Sequence, residues 1–89
     1  MTKSEYNDLL DQLIYGHDAD LSIEGHRFFI EWKKCGITIY RMQEDNGTEI
    51  AVLHGRSRNE IVNKLFDFCF LPGKSLNDSY QEMSILDIE

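Results

Sequence analysis

The sequence predicts an α+β domain: an N-terminal helix, a three- to four-stranded antiparallel meander, and one or two C-terminal helices packed on one sheet face. Three observations carry this reading. Residues 2–16 show a capped, one-sided apolar stripe; residues 21–54 alternate in polarity between turn signals; and a second capping pair at Ser57 and Glu60 opens an apolar run.

Thr2 and Glu5 fit a capping box, with Ser4 a competing cap. Tyr6, Leu9, Leu10, Leu13 and Ile14 follow at i, i+3, i+4, i+7 and i+8, the spacing of one helix face. Asp8, Asp11 and Gln12 take the other side, and Gly16 supplies the stop. His17-Asp18-Ala19-Asp20 is a polar connector.

Four strands are expected: Leu21–Glu24, Arg27–Trp32, Ile37–Met42 and Ile50–His54. The gaps hold Glu24-Gly25, Lys33–Gly36 and Glu44-Asp45-Asn46-Gly47, and Asn-Gly favours the positive φ values of a type I′ turn. Phe28, Ile30 and Trp32 alternate with Arg27, Phe29 and Glu31, giving one clearly apolar face. On the fourth strand Ile50, Val52 and His54 oppose Ala51 and Leu53. The second face is then expected to show Phe29, Tyr40 and Leu53, more apolar than an open face needs. Either a terminal segment covers it or a partner does.

Ile61, Val62, Leu65, Phe66, Phe68 and Cys69 give the second helix a broad apolar face, ended at Pro72-Gly73. A last short helix is expected from Ser75 or Leu76 to Met83. The tail Ile85-Leu86-Asp87-Ile88-Glu89 is too apolar to be free, and an extended edge segment suits it.

At 89 residues the chain makes a single domain, 1–89, and 42% hydrophobic content supports a core. It has no stretch approaching the roughly 20 apolar residues of a membrane span and no apolar signal core at Met1–Glu5, so a cytoplasmic protein is expected. Cys35 and Cys69 read as free thiols. The Asn46-Gly47-Thr48 and Asn77-Asp78-Ser79 sequons are then chance matches.

The net charge of −7 sits at the ends. Residues 1–20 hold Glu5, Asp8, Asp11, Asp18 and Asp20 against Lys3 alone; residues 75–89 hold Asp78, Glu82, Asp87 and Glu89 with no base. This balance disfavours direct contact with nucleic acid or an anionic membrane and favours a basic protein partner. Arg56, Arg58 and Lys64 surround the second helix start, and Arg27, Lys33 and Lys34 the second strand; their simplest use is pairing with the acidic ends.

Motifs of catalysis are weak. Gly73-Lys74-Ser75 lacks the earlier glycine of a phosphate-binding loop, Phe68 standing there. A metal or enzyme site requires His17, Asp18 or Asp20 to converge with His26 or His54. No cofactor and no catalytic residue is expected. The expected partner-binding residues are Asp8, Asp11, Asp78 and Glu82 for charge, with Phe29, Tyr40 and Leu53 for apolar contact.

Leu9-Leu10, the alternation Leu21–Ile30 around Gly25, and Gly73-Lys74-Ser75-Leu76 leading to Ile85-Leu86-Asp87-Ile88 carry a resemblance. The chain is similar in these features to small proteins of Gram-positive bacteria, their phages and their mobile elements. In size, acidity and helix–sheet–helix order it also resembles phage anti-CRISPR proteins, which act as nucleic-acid mimics. Those resemblances imply an acidic, non-catalytic protein–protein interaction module, such as an inhibitor or an immunity or anti-defence protein. The alternative is a self-associating structural protein that dimerises through its sheet.

Overall fold

Thr2 opens the first helix as the sequence predicts. In a computed structural model that describes residues 1–44 and 46–89, its hydroxyl accepts from the Glu5 amide at 3.1 Å, and Glu5 Oε1 accepts from the Thr2 amide at 2.9 Å. Both halves of the capping box are therefore present. The elements run α1 (Lys3–Ile14), β1 (Ala19–Ile23), β2 (His26–Lys33), β3 (Gly36–Gln43), β4 (Asn46–Leu53), α2 (Arg58–Asp67), β5 (Cys69–Leu71), β6 (Lys74–Ser75), α3 (Leu76–Ser79), a 3-10 turn (Tyr80–Glu82) and β7 (Met83–Ile88).

The main sheet is antiparallel, with five strands in the order β4-β3-β2-β1-β7. The expected meander is present, and the apolar tail extends it: Met83–Ile88 pairs with β1 as an edge strand. Glu24 and Gly25, at φ 49° and 81°, form the two-residue turn between β1 and β2. The turn expected at Glu44–Gly47 differs. Asn46 and Gly47 already belong to β4, facing Gln43 and Met42, while Asp45 lies outside the described residues.

Ala19, Leu21, Ile23, Phe28, Ile30, Ile37, Ile39 and Met83 share one face of the sheet and are buried. Leu9 and Leu13 of α1, Ile61, Val62, Leu65 and Phe66 of α2, and Leu76 of α3 complete this core. Burying each Leu, Ile, Val, Phe or Met side chain of this core contributes about 1.5–3 kcal/mol relative to leaving it exposed. Residues of α1, α2 and α3 thus pack on this face, which matches the expected helix packing in outline, while the sheet has five strands instead of the expected three to four.

Two further expectations are corrected. The second helix ends at Asp67 instead of running to Pro72-Gly73: Phe68 turns extended, at ψ 131°, and Cys69–Leu71 pairs with Lys74-Ser75 in a small hairpin. Proline followed by a positive-φ glycine (Gly73, φ 71°) is the signature of a tight turn, and here it joins two strands. Phe70 thereby reaches the core and meets Phe28 edge-on at 5.2 Å between ring centroids.

The second correction concerns Leu53. It does not share the outer face with Phe29 and Tyr40; it faces Ile37 and packs against the core. An irregularity in the β3–β4 register sets Ile39 against Ala51 but Tyr40 against Glu49, leaving Ile50 as an extra residue. Such a shift decides which face each side chain takes. Val52 and Ile50 are the exposed large hydrophobic residues on this strand, each 41% exposed.

Candidate functional site

The expected contact residues do not form one surface. Asp8 and Asp11 lie on the exposed side of α1, and among the described residues neither makes an ion pair. Tyr15 caps the same helix and is 75% exposed. Residues 8, 11 and 15 fall at i, i+3 and i+7, so the helix aligns two free carboxylates with an aromatic ring. Sequence reasoning passed over Tyr15, although its position beside the inward stripe and before Gly16 marks it as a helix-end residue.

Asp78 and Glu82 are used internally. Ser75 Oγ accepts from the Asp78 amide and donates to Asp78 Oδ2, capping α3. Glu82 receives both its hydrogen bonds from Lys74 Nζ at 2.8 Å, and this bond raises the lysine pKa. Neither carboxylate is free in the sense in which Asp8 and Asp11 are.

On the opposite side of the sheet, Phe29 and Tyr40 are cross-strand partners with nearly parallel rings, 6.3 Å between centroids. Lys33 Nζ lies over the Tyr40 ring at 5.3 Å and 3.6 Å from Glu31. Hydrogen bonding to Tyr40 first, and the attraction of Tyr40 and Glu31 next, raise its pKa. β7 pairs edge-on with β1, so Ile85–Ile88 leaves this face open instead of covering it.

The three histidines sit apart, each fixed by a different bond. His17 and His54 donate from Nδ1 to the carbonyls of Glu89 and Cys35, since a carbonyl can only accept. His26 Nδ1 accepts from the Arg41 guanidinium at 2.8 Å. Among the described residues no three His, Cys, Asp or Glu side chains stand close enough to hold a metal ion.

An open cleft of about 350 Å³ lies between the β2–β3 turn and the start of α2. Trp32, Lys34 and Cys35 line one side; Arg56, Ser57 and Arg58 line the other. No acidic residue is among its described lining residues. The basic residues noted in the sequence thus partly converge here instead of all pairing with the acidic ends. Arg27 does pair with Asp20 at 2.8 Å, and Lys74 with Glu82.

Ser57 caps α2 by accepting from the Glu60 amide at 3.2 Å, but the reciprocal bond goes elsewhere: Glu60 Oε2 accepts from the Arg56 amide at 2.7 Å. The expected capping box is half formed, and the glutamate instead pins the loop that carries Arg56.

No family model, no curated protein and no solved structure matches the chain. No described helix is long and apolar enough to cross a membrane.

Proposed function

We propose that the protein is a non-catalytic interaction module that docks a basic protein partner on the outer side of α1. The observation that carries this reading is the alignment of unpaired Asp8 and Asp11 with the exposed Tyr15 ring. Unpaired surface carboxylates steer a basic partner during encounter, and an exposed tyrosine offers a contact anchor at low entropic cost. If that partner handles nucleic acid, Asp8 and Asp11 stand where backbone phosphates would. This is the chemistry of an inhibitor or anti-defence protein of a mobile element. Free, exposed Cys35 and Cys69 fit a reducing cytoplasm. Reversing both charges, Asp8→Lys with Asp11→Lys, should abolish salt-sensitive partner binding while leaving the fold intact.

A second reading rests on the open sheet face. Phe29, Tyr40 and Val52 leave apolar surface on the side without helices, and two copies meeting there would bury it. Light scattering across a concentration series separates the two readings: self-association rises with concentration and falls on Tyr40→Lys.

A further inference from the structure

The cleft between the β2–β3 turn and the start of α2 concentrates positive charge in a chain whose net charge is −7. Four of the nine basic residues of the sequence line it: Lys33, Lys34, Arg56 and Arg58. They are not equivalent. The Lys33 ammonium is turned to the other sheet face, with Glu31 and Tyr40. Arg58 is held in place: Nη1 donates to the carbonyls of Tyr15 at 3.1 Å and Ile14 at 3.5 Å, and its guanidinium lies 6.0 Å from the Trp32 ring centre. Lys34 and Arg56 form no side-chain ion pair or hydrogen bond among the described residues.

Two acids adjoin the lining residues and both are engaged: Glu60 by the Arg56 amide at 2.7 Å and by Lys64 at 4.0 Å, and Asp18 by the Trp32 amide at 2.8 Å. Two unspent cations and a fixed guanidinium around one recess suit a doubly charged anion, for which charge-assisted hydrogen bonds from Arg and Lys are the strong contacts. The recess is larger than an inorganic anion needs. At about 350 Å³, with Trp32 and Ile61 in its wall, it has room for an organic part beside the charge.

We infer that this cleft binds the phosphate monoester of a small organic molecule, with Lys34 and Arg56 on the phosphate, Arg58 fixing the wall, and Trp32 beside the organic part. The site is distinct from the outer side of α1, so it stands whether or not a protein docks there.

Trp32 is the chain's single tryptophan, so its fluorescence reports on the cleft directly. The full chain is titrated with a pentose 5-phosphate, with the free pentose, with inorganic phosphate, and with potassium chloride at matched ionic strength. The pentose phosphate is expected to give a saturable change with Kd of roughly micromolar to millimolar. Inorganic phosphate is expected to bind at least about tenfold more weakly, and the other two not at all. Lys34→Gln and Arg56→Gln should each weaken the ester about tenfold, while Lys74→Gln, a charge-matched change in the β5–β6 hairpin, should not. Circular dichroism confirms the fold of each variant. No saturable response to the ester, an equal affinity for inorganic phosphate, or unchanged binding in folded Lys34→Gln and Arg56→Gln would overturn the assignment.

Discussion

Arg58, in the first turn of α2, closes the end of α1: its Nη1 donates to the carbonyl of Tyr15 at 3.1 Å. The last carbonyls of a helix lack internal partners and carry the negative end of its dipole, so a guanidinium there is doubly favourable. The arginine also lies against Trp32, whose Nε1 donates to the Leu13 carbonyl at 2.9 Å. One side chain thus ties helix to helix and both to the sheet. Arg58→Ala is expected to cost about 1–2 kcal/mol in urea denaturation. Arg58→Lys should recover only part of that, since an ammonium does not lie flat on the indole.

Gly36 tests the approach of β3 to β4. It has φ 146°, and a Cβ there would fall 2.0 Å from the Leu53 carbonyl oxygen, a backbone atom that cannot swing aside. Gly25, at φ 81°, has nothing within 4 Å of its virtual Cβ. Gly25→Ala should therefore cost only the left-handed penalty of about 1–2 kcal/mol. Gly36→Ala should cost clearly more, and chemical denaturation of the two variants side by side measures the difference.

The capping box makes α1 sensitive to acid. Hydrogen bonds from Thr2, the backbone bond first, hold the Glu5 carboxyl below its ordinary pKa. A carboxyl lowered in the folded state adds stability that is fully present above its unfolded pKa and is lost as pH falls through the folded one. Glu5→Gln should remove that part of the acid dependence. Denaturation curves from neutral pH down past the ordinary glutamate range should converge for the two proteins at the acid end.

Leu53 and Val52 discriminate the β4 register. Leu53 packs on the core beside Ile37, whereas Val52 is 41% exposed. Leu53→Asp is expected to cost about 2–3 kcal/mol, because it buries an unpaired carboxyl. Val52→Asp should stay within about 0.5 kcal/mol of the parent, as surface changes do. Equal costs would mean that the register is different.

The parts legible in the sequence were those written in local chemistry. Thr2 with Glu5, the stripe from Tyr6 to Ile14, and Glu24-Gly25 each fix a structure within a few residues. The β5–β6 hairpin was hidden because Leu65, Phe68 and Cys69 fall at i, i+3 and i+4 and so continue the α2 stripe, which masks the strand alternation of Phe66, Phe68 and Phe70. The face of Leu53 was hidden for a similar reason: Ile50-Ala51-Val52-Leu53 is apolar throughout, so only the pairing with β3 decides it. The basic cleft is a product of topology. Lys34 and Arg56 are far apart in sequence, and the β3–β4 pairing returns the chain from one to the other. Asp8 and Asp11 were visible as a solvated helix face, but that Asp78 and Glu82 are spent on Ser75 and Lys74 needed the fold.

The central claim is that α1 presents a docking surface for a basic protein. Its most direct test immobilises the chain and its Asp8→Lys, Asp11→Lys variant, and passes over each a lysate of the organism that encodes it, at low and high salt. The account predicts a basic protein retained at low salt by the parent, released at high salt, and absent from the variant. A partner held equally by both proteins at either salt would contradict it, as would no partner at all from a chain that elutes as a dimer.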